Sequence, residues 1–356
     1  MGIINNIYSS ENGNTFVSDS GLAEIYYQSW IPKNPENVKG IFQIIHGMAE
    51  HTDRYEEFAK FLTTIGFAVY ASEHVVHGRS VKSDDDLGYF GEKDGWKAFI
   101  NDAHTVTIRA KKEFPGVPVV LFGHSMGSFV ARCYISEFAD DIDAAIICGT
   151  SGPNPAAGMG IFLANTVAKI KGSRHKSKLI NSVAFGTYNK RSAQKDDNGF
   201  GWLSTDREVV KKYNADPLCG FLFTAKGFTD LFNVLDSASK KECFEKTPQK
   251  LPIYIISGKE DPVGSYGPGV EKVYNEYVKT GHSKVTMKLY DRMRHEILNE
   301  FGKEEVYVNI AQWCQKILSI WLFTRYDMLS IVAGFSFPIS INDFLTKEFF
   351  YVIIQL

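Results

Sequence analysis

Val117-Pro118-Val119-Val120-Leu121-Phe122 runs directly into Gly123-His124-Ser125-Met126-Gly127, and Phe129, Val130, Cys133 and Tyr134 follow at helical spacing. An apolar run, a serine set between glycines and a helical pattern, in that order, predict a strand, a tight turn and a helix. A serine on such a bend carries its hydroxyl at the exposed tip. The glycines two residues to either side keep Cβ atoms out of the crossing between strand and helix. Ser125 is therefore read as a nucleophile, against the alternative of a serine that only caps the helix.

Working outward, strand-like apolar runs recur at Ala23 to Trp30, Gly40 to Ile45, Phe67 to Ala71, Ala144 to Cys148, Ile253 to Ser257 and Val285 to Tyr290. Between them Tyr55, Phe58, Ala59, Leu62 and Ile65, and later Trp96, Phe99, Ala103, Val106 and Ala110, repeat at the spacing of crossover helices. Strands alternating with helices imply an α/β fold with a mostly parallel central sheet flanked by helices. The rhythm stops from Gly152 to about Thr247, where an apolar helix-like segment from Ile161 to Ile170, a basic loop and an aromatic-rich stretch follow one another. An insertion of this size after a sheet strand predicts a helical cap over the strand ends, where open α/β sheets bind ligands. The expected organisation is a core of residues 1–151 and 248–319, a cap of residues 152–247, and an atypical apolar tail of residues 320–356.

The composition narrows the function classes. At 356 residues, 44% hydrophobic and 13% aromatic, the chain is long enough for one large packed domain with an insertion. A net charge of −2 with no long Lys/Arg run excludes a phosphate-backbone groove, so no nucleic-acid partner is expected. Five dispersed cysteines without a C-x-x-C pair suit a reducing compartment, and the polar stretch from Met1 to Ser20 lacks a secretory pattern, so a cytoplasmic enzyme is expected. The uncharged stretch Met328 to Asn342 is short of the roughly 20 residues that span a bilayer and has no basic face of the kind surface-lying helices carry.

A serine hydroxyl needs a base to take its proton, and the base needs a carboxylate to orient it. Asp261 follows the strand Ile253 to Ser257, and His295 follows the strand Val285 to Tyr290, which puts both in loops at the edge that carries Ser125. Glu260 is the weaker acid candidate, because it would serve only with a shifted loop, and His282 precedes its strand and so lies at the far edge. Two backbone N–H groups should stabilise an oxyanion, those of Met126, after the nucleophile, and of Met48, after the earlier buried strand. His46 is expected to hydrogen-bond loop backbone, with His51 and Arg54 bracing the same loop.

Taken together, His46-Gly47-Met48-Ala49-Glu50-His51-Thr52-Asp53-Arg54-Tyr55, His77-Gly78-Arg79-Ser80, the turn at Ser125, Asp261-Pro262-Val263-Gly264 and Arg294-His295-Glu296 resemble the monoacylglycerol lipase and lysophospholipase group of α/β-hydrolases, often labelled serine aminopeptidase-like. The resemblance runs in order from about Gly21 to Ser319. In the cap, Tyr188-Asn189-Lys190-Arg191, Gly201-Trp202-Leu203-Ser204 and Tyr213-Asn214-Ala215-Asp216-Pro217-Leu218-Cys219-Gly220-Phe221 resemble bacterial members. It implies an α/β-hydrolase fold, a Ser125, Asp261, His295 triad, and cleavage of a single-chain acylglycerol or lysophospholipid ester through an acyl-enzyme, without cofactor or metal. Two other readings stay open: a short-chain esterase or amidase on the same triad, and a catalytically silent lipid-binding or interaction module. The apolar cap residues Phe162, Leu163, Trp202, Leu203, Phe221, Leu222 and Phe223 are the candidates to line the acyl site, and the cap or tail could touch a membrane surface. One departure stands out: where the group usually has Asp and then Arg-Gly-His-Gly, this chain reads Glu73-His74-Val75-Val76-His77-Gly78, so a turn behind the site is altered and activity could be lower.

Overall fold

The computed structural model describes residues 13–153, 156–192 and 197–333. In chain order the elements are β1 (Gly13–Val17), β2 (Glu24–Trp30), β3 (Gly40–Ile45), α1 (Glu56–Thr64), β4 (Phe67–Ser72), α2 (Gly95–Glu113), β5 (Val119–His124), α3 (Met126–Glu137) and β6 (Ala144–Cys148). Then come α4 (Ala157–Lys171), α5 (Lys178–Phe185), α6 (Arg207–Ala215), α7 (Ala225–Ser239), α8 (Lys241–Lys246), β7 (Ile253–Gly258), α9 (Pro268–Lys279), β8 (Val285–Tyr290) and α10 (Lys303–Ala333).

The strands form one sheet in the order β1-β2-β4-β3-β5-β6-β7-β8, antiparallel at β1, β2 and the β2–β4 pair, and parallel from β4 to β8. Strands β3 to β7 are buried along their whole length. That is why they read as unbroken Ile, Val, Phe and Ala runs rather than as alternating ones: helices cover both faces of a parallel sheet. The edge strands differ. Only Phe16 of β1 is buried, and β8 is half-exposed with Thr286 and Lys288 within it.

Parallel strands put their carboxyl ends at one edge of the sheet, and the loops after β3, β5, β7 and β8 all open there. The insertion between β6 and β7 supplies α4 to α8. Its inner part belongs to the core, since Phe228 and Val234 of α7 are fully buried and the enclosed guanidinium of Arg132 on α3 donates to the carbonyl of Ala238 at the end of α7. The chain divides into a compact unit ending at Cys314 and a second unit starting at Gln315. In the first unit Ile310 and Cys314 are buried and Trp313 stacks on Tyr254 of β7 at 5.5 Å. Helix α10 continues past Ser319, where the core was expected to give way to the tail, as far as Ala333, and residues 334–356 of the expected tail lie outside the described residues. Among the described residues no helix is long and apolar enough to cross a membrane.

Candidate active site

Ser125 sits between β5 and α3 with φ 54° and ψ −121°, a backbone conformation that L-residues rarely adopt. The turn is fixed on both sides: Ser125 N–H donates to Cys148 O at 3.0 Å, and Ser128 N–H donates to Ser125 O at 2.8 Å. The flanking glycines are required by contact. A Cβ on Gly123 would collide with the Gly127 carbonyl, and one on Gly127 with the carbonyls of Ile45 and His46. Close approach of α3 to both strands, as expected of this motif, is what holds the strained serine.

Asp261 and His295 meet in the loops after β7 and β8. The His295 Nδ1–H donates to Asp261 Oδ2 at 2.9 Å, and both side chains are buried. The carboxylate is held from three directions, because Ser257 Oγ donates to Oδ2 at 3.0 Å and Val263 N–H to Oδ1 at 2.8 Å. Glu260 is exposed, and His282 is bound to the carbonyls of Tyr277 and Thr247. On its other side the His295 ring packs on His124 at 4.7 Å and on Trp202 of the cap at 5.0 Å. Ser125, His295, Met48 and Met126 line one cavity of about 1570 Å³. Ser125 and His295 share its wall without a hydrogen bond between them, a contact that in free enzymes often closes only around substrate. Met126 is the first residue of α3, so its N–H has no partner within the helix.

The loop that carries Met48 is braced by a buried charge network of which the sequence pattern had indicated only Arg54. Glu50 accepts from Gly47 N–H at 2.5 Å, Tyr55 OH at 2.8 Å, His124 Nδ1 at 3.3 Å and Arg54 Nη1 at 2.6 Å. Arg54 also donates two bonds to Glu296, at 2.8 and 2.6 Å, so one guanidinium ties the loop to the residue after His295. Burial pushes the Glu50 carboxyl up, but the His124 hydrogen bond and the Arg54 charge outweigh it and hold it well below the usual carboxylate range. Burial pulls His124 down, yet the Glu50 hydrogen bond and charge raise it; its Nε2 faces the His295 carbonyl at 3.3 Å, so both ring nitrogens meet acceptors, as an imidazolium requires.

His46 behaves as expected, with Nδ1 donating to the Gly47 carbonyl at 2.8 Å and Nε2 accepting from His74 N–H at 3.0 Å. His51 pairs with Asp216 of the cap at 2.8 Å. In the altered turn, Val76 stands where the resembling group has glycine and takes φ 52°, a left-handed conformation that a β-branched side chain resists. The turn nevertheless delivers His77, whose Nε2 accepts from Ala49 N–H at 3.3 Å, next to Met48. Burial pulls His77 down to about 3, so its ring stays neutral and able to accept.

Of the proposed acyl-site residues, Phe162, Leu163, Trp202, Leu203, Phe221 and Leu222 line the cavity. Phe223 does not. It is fully buried and packs on Phe90, Phe228 and His77. Leu231, Phe232 and Leu235 of α7 line the cavity and were absent from the sequence candidates; their i, i+1, i+4 spacing on one helix was the available signal.

A serine held left-handed at the carboxyl edge of a parallel sheet, between a buried strand and the helix it feeds, is how the α/β-hydrolase fold presents its nucleophile, and the chain is a serine hydrolase of that fold. The chain is 26% identical over 311 residues to a monoacylglycerol lipase of Mycolicibacterium smegmatis, covering 86% of this chain and 98% of that protein. It is 27% identical over 310 residues to the human monoglyceride lipase, covering 81% and 86%. The crystal structure of a highly thermostable carboxyl esterase from Bacillus coagulans in complex with glycerol superimposes with a TM-score of 0.80 at 30% identity, covering 86% of this chain and 98% of that one. The sequence matches the family described as serine aminopeptidase, S33, over residues 36–302, and the chain belongs to that family.

Proposed function

We propose that this carboxylic ester hydrolase cleaves esters of single-chain lipids, monoacylglycerols or lysophospholipids, through an acyl-enzyme on Ser125. His295 takes the hydroxyl proton at Nε2 and returns it to the leaving alcohol, Asp261 holds the ring through Nδ1, and the N–H groups of Met48 and Met126 stabilise the oxyanion. Water then repeats the sequence on the acyl group. The observation that carries the reading is the joining of Ser125 and the buried Asp261–His295 pair to one cavity whose walls are largely apolar, among them Leu163, Leu222, Leu231 and Leu235. The names borne by the bacterial and human relatives favour the same substrates.

Release of an amino-terminal residue, which the family's description suggests, is less well supported. A peptide's α-ammonium would need an unpaired carboxylate, and the two described carboxylates lining the cavity, Glu50 and Glu296, are both committed to Arg54. Contact with a lipid surface is part of the proposal: Met159, Phe162 and Ile170 of α4 and Leu179 and Val183 of α5 are exposed on the cap beside Lys169, Lys171 and Lys178. The test is a saturated acyl series from two to sixteen carbons. Each methylene buried is worth about 0.8 kcal/mol, so kcat/KM should climb with chain length until the cavity is full. A flat or steadily falling series would replace this reading with short-ester or amide hydrolysis.

A further inference from the structure

The cavity differs in sign from the rest of the chain. The whole sequence carries −2, but the carboxylates on the cavity wall, Glu50 and Glu296, are buried and share Arg54. The lysines and remaining arginine that line it are Lys178, Lys190, Arg191 and Lys272, all exposed and none in an ion pair among the described residues. They come from separate places: Lys178 opens α5, Lys190 and Arg191 lie in a short turn of the cap, and Lys272 is on α9 of the core. Arg191 is held over the Tyr266 ring at 4.0 Å. These side chains reach solvent while lining the cavity, as do the exposed apolar Met159, Phe162 and Val183, whereas Ser125 is half-buried and Leu203 buried. Unpaired cations lining one concave cavity raise the local concentration of anions and favour a bound negative group. An uncharged glycerol head group could accept hydrogen bonds from them but would gain no charge–charge attraction.

We infer that these cations form a head-group subsite for an anionic phosphate, and that the preferred substrate is a lysophospholipid whose polar end is net negative, its acyl chain in the apolar part and its phosphate among Lys178, Lys190, Arg191 and Lys272. The inference rests on the ester-hydrolase reading of Ser125 and supplies the head group which that reading leaves open. The same phosphate chemistry could come instead from the face of an anionic membrane, so the test separates the two sources.

Initial rates are measured on monoacylglycerol, lysophosphatidylcholine and lysophosphatidic acid of one acyl chain, at concentrations where each is monomeric, with and without added salt. A single exposed ion pair is weak, but several acting on one phosphate should place the KM for the anionic ester on the order of ten-fold below that for the neutral one, with salt narrowing the gap. Lys190→Glu with Arg191→Glu, and separately Lys272→Glu, should raise the KM for lysophosphatidic acid toward that for monoacylglycerol and remove its salt dependence; circular dichroism checks that each variant is folded. Equal KM values for anionic and neutral monomers, or variants with an unchanged ratio, would overturn the subsite. So would a charge preference seen only on vesicles of anionic lipid and absent for monomers, since the cations would then serve the membrane face. No turnover of any of the three esters would instead overturn the ester reading itself, and the subsite with it.

Discussion

Arg54→Gln removes the one cation shared by two buried carboxylates. The Arg54 side chain is 12% exposed and those of Glu50 and Glu296 are 4% and 3%, so water replaces little of what the guanidinium supplies. Taking one partner out of a buried ion pair costs about 3–5 kcal/mol, because it leaves uncompensated charge behind. The low end applies here: Glu50 keeps Gly47 N–H, Tyr55 OH and His124, and Glu296 keeps Asn299 Nδ2 at 3.3 Å. A loss of about 3 kcal/mol is expected in urea unfolding near neutral or mildly alkaline pH. The sign of its pH dependence follows from Glu50. The Arg54 charge helps to hold its carboxyl low, so removing it lets the folded-state pKa rise, and protonation then relieves the variant at acid pH. The deficit relative to wild type should therefore shrink as the pH falls from about 8 to about 5. A loss under about 1 kcal/mol, the size typical of an exposed pair, or a deficit that grows on acidification, would refute the buried-network argument.

Two further outcomes concern backbone strain and a buried acid. Val75 and Val76 are neighbouring buried valines, but only Val76 is left-handed, so Val76→Gly exchanges lost burial for relief of strain worth about 1–3 kcal/mol. It should cost less than Val75→Gly by about that amount in chemical unfolding, and equal costs would mean that the turn stores no strain. Asp230 on α7 is fully enclosed and accepts from Trp96 N–H at the start of α2; burial, only partly countered by that hydrogen bond, pushes its carboxyl from 3.8 to about 7. A carboxyl raised on folding favours the native state only while protonated, so stability should fall as the pH climbs from the unfolded value toward about 7. Between about pH 5 and about pH 8 the loss should be roughly 2 kcal/mol, and Asp230→Asn should flatten it; thermal melts across that range with parallel slopes for the two proteins would contradict the assignment.

Much of this molecule is legible in its sequence because parallel strands covered on both faces must be continuously apolar. Strands β3 to β7 announce themselves in that way, β2 and β8 read only as partly apolar runs, and β1, five mostly exposed residues at an antiparallel edge, does not stand out at all. Ser125, Asp261 and His295 are readable because each follows a recognisable strand, which fixes the edge of the sheet on which it emerges. Side-chain direction within the cap is not readable. Leu222 and Phe223 are equally apolar, yet one lines the cavity and the other fills the core, and period alone cannot choose between them where no regular element sets the phase. The Glu50–Arg54–Glu296 network joins residues 242 positions apart, so nothing local distinguishes Glu296 from any loop carboxylate. Val76 is a mismatch visible only against the resembling group, and its cost appears only in the positive φ.

The acyl-enzyme is the claim on which the rest stands. Wild-type protein mixed with a long-chain ester, quenched in acid within the first turnovers and read by intact-mass and peptide mass spectrometry, should carry one acyl group on Ser125. Ser125→Ala, still folded by circular dichroism, should carry none and lose on the order of 10³-fold or more in turnover. An acyl group found on another residue, or ester cleavage that persists in Ser125→Ala at near wild-type rate, would contradict the account.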